Sequence, residues 1–200
     1  YMITRKEMTR MLLKEGLLSY LENHSFESLT VTLLCKASGI TRSTFYLHYS
    51  NIMEIVDDLV DDAIAYSRPG MVDNNNLQTI AKTLSAASDS VSLREAYDSI
   101  FDRLPLCQRI IRHKKYLPLF LDEQIAEYVL QRIIRREKDR QGLVMAKALG
   151  ISFDMGVSVF VFLVHGLYAI NKEYKWSQSD KWLEAQKIIF ELVYRGLQSK

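Results

Sequence analysis

Residues 29–49, reading LTVTLLCKASGITRSTFYLHY, constrain this chain more than any other stretch, because two helix starts and one sharp stop fall inside it. Thr30 precedes an apolar-periodic run, where its side-chain oxygen can accept from an orphan backbone N–H as an N-cap does. A first short helix is expected over 31–38. Gly39 follows where the chain must turn, since glycine adopts positive φ without steric cost. Thr41 is a second N-cap, so a second helix is expected over 42–49. Leu34, Ile40 and Phe45 form a buried seam, and Cys35 is small enough to let the two helices cross closely. Two helices joined by a short glycine-containing turn make a helix-turn-helix, whose second helix enters the DNA major groove.

Composition narrows the rest. A chain of 200 residues with 48% hydrophobic and 25% charged content suits one or two globular domains with a real core. Cys35 and Cys107 lie far apart, each in a predicted helix, and offer neither metal spacing nor a disulfide framework. That usage fits a reducing cytosol. Arg5, Lys6, Glu7 and Arg10 interrupt any apolar run of the kind a signal peptide needs, so a cytoplasmic location is expected. The net charge of +2 does not announce a nucleic-acid binder. His24, His48, His113 and His165 are dispersed, and no His-x-x-x-His, Gly-x-Ser-x-Gly, CxxC or glycine-rich phosphate loop occurs. No enzyme, cofactor or metal is expected.

In chain order, a helix over 4–23 buries Met8, Leu12 or Leu13, Leu17 and Leu21, with Arg5, Lys6, Arg10 and Lys14 on a polar face that reads as solvated. A helix over 51–66 follows, buried through Ile52, Ile55, Val56, Leu59 and Ile64. Its acids Glu54, Asp57, Asp58, Asp61 and Asp62 read as a solvated stripe, since no His or Cys joins them as metal ligands. Residues 67–76, SRPGMVDNNN, read as a linker. Helices are expected beyond it over 77–87, 91–104, 105–113, 118–140, 150–172 and 179–198, with Pro105 and Pro118 at first-turn positions. Basic residues within 109–115 and 132–140 read as solvated faces. Period-two alternation is absent, so the fold class is all-α: a DNA-binding domain at 1–50, a connecting helix and linker at 51–76, and a helical domain at 77–200.

The run LTV-x3-C-x3-GITRSTFYLHY resembles the N-terminal signature of the TetR/AcrR family of bacterial transcriptional regulators. Phe45, Tyr46, His48 and Tyr49 are the most diagnostic part, and Ser25-Phe26 before Leu29-Thr30 also matches, with serine where the family usually has glycine. The similarity covers about a quarter of the chain. It implies that Arg42 and Ser43 start the recognition helix, with Arg42 suited to pairing bidentately with guanine. Thr44 and Leu47 share its outward face, and Leu47 could meet a thymine methyl. Tyr46 and His48 resemble the family's phosphate-contacting pair, while Thr30, Thr32, Thr41 and Asn51 are further phosphate or base-edge candidates. Phe45 and Tyr49 belong to the core on this reading. Each polar position would also serve as plain surface. One position departs: where the family usually places lysine, three residues after Tyr49, this chain has Ile52. Residues 1–50 hold six Lys/Arg against four acids, so few ionic contacts and a shallow salt dependence are expected.

The stretch ISFDMGVSVFVFLVHGLYAI is apolar on nearly every side, as a fully buried or membrane-spanning helix is. Asp154, His165 and three small residues argue against a span, so it is expected to lie between its own domain and a partner subunit. In the resembled family the last two helices form a four-helix bundle with their symmetry mates, which places Val157, Val161, Val164, Ile189, Leu192, Val193 and Leu197 at a homodimer interface. A two-fold dimer on a palindromic double-stranded DNA operator is also the usual way to read two short half-sites. Phe101, Tyr116, Phe120, Tyr128, Phe160, His165 and Tyr168 occupy inward-facing positions, as core or as the wall of a pocket for a small organic effector. The resemblance implies a DNA-binding repressor released by such an effector. The alternative is a helical regulatory subunit that acts mainly through a partner protein.

Overall fold

The computed structural model of the chain describes residues 4–67, 76–105, 108–109 and 114–198. Among the described residues it is all-helical, with ten α-helices and no strand. They are α1 (Arg5–Leu21), α2 (Val31–Ser38), α3 (Arg42–Tyr46), α4 (Ile52–Ser67), α5 (Asn76–Ser85), α6 (Ser90–Ser99), α7 (Pro118–Leu121), α8 (Ala126–Leu149), α9 (Phe153–Glu173) and α10 (Asp180–Gln198). Most of the linker expected at 67–76 and most of the helix expected at 105–113, including Cys107 and His113, lie outside the described residues.

The chain divides into two compact units. One comprises Tyr1–Ala63 with His113–Ile133, and the other Ile64–Arg112 with Ile134–Lys200. Residues 113–133 thus group with the N-terminal helices rather than with the remainder of 77–200.

In the first unit, α1 starts at a capping box. Thr4 accepts from the Glu7 N–H, and Glu7 accepts from the Thr4 N–H at 2.8 Å, so orphan amides are satisfied reciprocally. Its buried face is Thr9, Leu13, Leu17, Leu18 and Leu21, whereas Met8 and Leu12 are exposed. This rotates the expected apolar face by about one position. α1 packs on α2 and α7, and Leu34, Phe45, Ile55, Leu59, Leu119 and Phe120 complete the core. Gly16 sits where α1 meets α2, and a Cβ there would run into Ser38.

The helix expected over 118–140 is broken. Asp122 Oδ1 accepts from the N–H groups of Gln124 (2.9 Å) and Ile125 (3.3 Å), while Oδ2 accepts from the Phe26 N–H at 2.6 Å. A short acid that satisfies backbone donors competes with helix continuation, so α7 stops at Leu121. α8 then runs on to Leu149. Gly150, at φ +63°, ends it, with the Ile151 N–H on Ala146 O at 3.1 Å. Ser152 caps α9 two residues later.

In the second unit, α10 packs on α5 and α6 around Ile80, Leu84, Leu93, Tyr97, Trp182 and Phe190. α8 and α9 cross at small residues, where a Cβ on Gly156 would collide with the backbone of Gly142 and Ala146. A buried hydrogen-bond ladder crosses this interior. The Tyr97 hydroxyl donates to Gln108 Oε1 (3.2 Å), and Gln108 Nε2 donates to Gln186 Oε1 (3.0 Å). Trp182 Nε1 donates to Asn171 Oδ1 at 3.0 Å. α9 ends without glycine: Lys175 and Trp176 both adopt positive φ, and the Trp176 N–H closes on Asn171 O at 2.8 Å. Burial of the Trp176 ring against Tyr168 holds that corner.

α9 is long and apolar enough to cross a membrane by length and composition, and 22% of its apolar window is buried. Gly156, Phe160, Leu163, Leu167 and Asn171 face inward, while Phe153, Met155 and Phe162 face out.

Candidate nucleic-acid interface

The short helices α2 and α3 and the turn between them are built by the residues that the local chemistry singled out. Thr30 Oγ1 accepts from the Leu33 N–H at 3.2 Å and opens α2. Gly39 takes φ +65°, ψ +26°, and the Ile40 N–H reaches Cys35 O at 2.9 Å, closing the helix. Thr41 then accepts from the Thr44 N–H at 3.2 Å and opens α3. Its hydroxyl also lies 2.9 Å from both Ser43 Oγ and Thr44 Oγ1, so three hydroxyls cluster at the entry to α3.

α3 is shorter than expected, ending at Tyr46 rather than at residue 49. The chain still turns helically, with the His48 and Tyr49 N–H groups bonding Phe45 O at 2.9 and 3.0 Å. Phe45 and Tyr49 are buried, their ring centroids 6.2 Å apart, and they seat this segment on the core. Ile40 is half-buried and only partly inward. On the opposite side Arg42 and Ser43 are exposed, Tyr46 is 52% exposed and Leu47 81%. Thr44 and His48 are half-buried, and His48 Nδ1 has no hydrogen-bond partner. Thr30, Thr32 and Asn51 are exposed. Asn51 Oδ1 accepts from the Glu54 N–H (3.1 Å) and Glu54 accepts from the Ser50 N–H (2.8 Å), which caps α4. Ile52, in the place of the usual lysine, is half-buried.

Two expectations about charge are overturned. Arg10 and Lys14 are not a solvated face: they pair with Asp58 and Asp62. Nor is the acidic stripe of α4 solvated. Arg132 pairs with Asp57 (3.0 Å) and Asp61 (3.3 Å), and the Tyr128 hydroxyl donates to Asp57 at 2.7 Å. The cause is spacing. Residues four apart share a helix face, so Arg10/Lys14 meet Asp58/Asp62 in register while Asp57/Asp61 turn toward α8. Among the described residues of 4–63, Arg5, Lys6, Lys36 and Arg42 are exposed and form no ion pair. The basic segments read as solvated are likewise engaged further along. Arg109 is buried, stacked near Tyr66 and Phe101, and lies 3.6 Å from Asp102. Lys115 pairs with Glu15 at 2.6 Å.

The candidate effector residues divide between the units. Tyr116, Phe120 and Tyr128 fall in the first, the first two buried and the third bonded to Asp57. Phe101, Phe160, His165 and Tyr168 fall in the second, half-buried except for buried Phe160. Of the dimer candidates, Ile189, Leu192 and Val193 line an apolar groove of about 170 Å³ between α9 and α10. Val157, Val161 and Val164 are half-buried and lie off that groove, and the side chain of Leu197 lies outside the described residues. Phe162, Gly166 and Ile170 of α9 and Ile188 of α10 also line the groove and were not singled out from the sequence, although the spacing of four along α9 is visible there. Neither the family models nor the curated proteins nor the solved structures contain a match to this chain.

Proposed function

We propose that the chain is a dimeric, sequence-specific DNA-binding regulator of transcription, a repressor released by a small organic effector. The observation that carries this reading is the arrangement around α3. A capped turn presents Arg42, Ser43, Tyr46 and Leu47 to solvent on one side, while Phe45 and Tyr49 anchor the other side in the core. Side chains of these types read bases and phosphates: a guanidinium for guanine, an aliphatic group for a thymine methyl, hydroxyls for the backbone. The sequence resemblance to TetR/AcrR regulators supports the same assignment. The uncovered groove of α9 and α10, with Phe162, Ile188 and Leu192 more than half exposed, supports pairing of two copies. Its buried polar ladder gives the second unit the convergent hydrogen-bonding groups that a small-molecule site uses.

The alternative, a regulatory subunit that acts through a partner protein, is favoured by the exposed Leu33, Tyr46 and Leu47 together with Ile52. Salt dependence separates the two. With four unpaired cations among residues 4–63 of each chain, a dimer bound through this segment should lose affinity with a log–log salt slope no steeper than about −7. Anisotropy of a labelled duplex between low and moderate salt measures it. No binding at any salt would remove the DNA reading and leave the partner reading.

A further inference from the structure

We propose that Asp58 is a positioning residue for the recognition helix, fixing the direction of α3 through Tyr49 and drawing Arg10 away from DNA. The inference rests on the DNA-binding reading above and adds a role for a residue of α4 that touches no base.

The geometry is specific. Asp58 Oδ2 accepts from the Tyr49 hydroxyl at 2.6 Å and also pairs with the Arg10 guanidinium. The guanidinium carbon lies 4.9 Å from the Tyr49 ring centroid, so cation, ring and carboxylate close on one another. Three parts of the chain therefore meet at one oxygen: α1, the turn that follows α3, and α4. Tyr49 is 3% exposed, and its backbone N–H is bonded to Phe45, so the ring cannot move without the segment moving.

α3 has five residues, and a helix that short does not hold its own direction by internal hydrogen bonds. It is held from outside at three points: the Thr41 cap, the Phe45 side chain and the Tyr49–Asp58 bond. Asp58, through Tyr49, is the anchor on the C-terminal side of the exposed Tyr46 and Leu47. It has a second consequence for charge. Arg10, tied to Asp58, adds nothing to the surface that meets phosphate, and the first unit presents fewer cations than its sequence counts.

A contact that served stability alone would, when removed, lower specific and non-specific DNA affinity together by the fraction unfolded. A positioning contact would act differently. Misalignment of α3 costs base contacts, whereas released Arg10 adds a cation for any duplex. The test compares the wild-type chain with Asp58→Asn and Tyr49→Phe, by anisotropy on a duplex enriched from a random library and on a scrambled duplex. The ratio of the two affinities should fall on the order of tenfold in Asp58→Asn, with the scrambled affinity held or raised. Tyr49→Phe, which keeps the Arg10 pair, should lower the ratio less. An unchanged ratio, or parallel loss on both duplexes, would overturn the proposal. Amide hydrogen exchange over 45–49 without DNA gives a separate reading. It should quicken in Asp58→Asn, and unchanged exchange would overturn the positioning role whatever the duplexes show. If wild type discriminates between no duplexes, the DNA reading fails, and quickened exchange would still distinguish that failure from loss of the anchor.

Discussion

Tyr49 carries the clearest electrostatic signature in the first unit. Burial, then the hydrogen bond to Asp58 and that carboxylate's charge, hold its phenol well above the ordinary tyrosine value of 10.0. A phenol that titrates higher in the folded than in the unfolded chain contributes fully below about pH 10 and less as pH rises beyond it. Urea unfolding should therefore show wild-type stability falling above pH 10, and Tyr49→Phe should flatten that fall. The same substitution should cost about 1–2 kcal/mol at pH 7, because it leaves Asp58 with one donor fewer. Equal alkaline losses in both proteins would show that Tyr49 is not the titrating group. Thr30, Gly39 and Thr41 were legible in the sequence because capping and left-handed turns are local chemistry. The Arg10–Asp58 pair was not, since its partners stand 48 residues apart and an acidic stripe looks the same whether solvated or paired.

Elements were legible where both ends carry their own signal. α2 runs over Val31–Ser38 as expected, with a threonine before it and a glycine after it. α7 and α8 were read as one helix because Pro118 marks a start, while Asp122 marks a stop through bonds to the Gln124 and Ile125 amides and to distant Phe26 that its residue type alone does not announce. The end of α9 lies within one residue of the expected 172, but its closure was not legible, as Lys175 and Trp176 take positive φ for reasons of burial rather than of residue type. Crossings depend on small residues in a way that sequence hints at and structure makes specific. Gly156→Ala would push a methyl into the backbone of Gly142 and Ala146, which is costlier than displacing a side-chain end. It should lower stability by about 1–3 kcal/mol in chemical denaturation. Gly166→Ala, with nothing within 4 Å, should be neutral or stabilising by up to about 1 kcal/mol in a lone chain. A dimer built across the groove would reverse that sign.

At the scale of the whole molecule, the all-helical class was readable from periodicity, whereas the grouping of 113–133 with the N-terminal helices was not, because it depends on Asp122, Tyr128 and Arg132 reaching partners far away in sequence. The function proposed for the molecule needs two copies. Sedimentation velocity should find a dimer, and Leu192→Glu, which places a charge on the exposed rim of the apolar groove, should yield folded monomer. A wild-type monomer at micromolar concentration would remove the two-fold reading. The central claim is sequence-specific binding through α3, and its most direct measurement is selection of bound duplexes from a random library, with Arg42→Ala alongside. Wild type should enrich a palindrome, and the Arg42→Ala protein should lose one base preference in each half-site while keeping the others. A library that stays random after repeated selection at low salt would contradict the account.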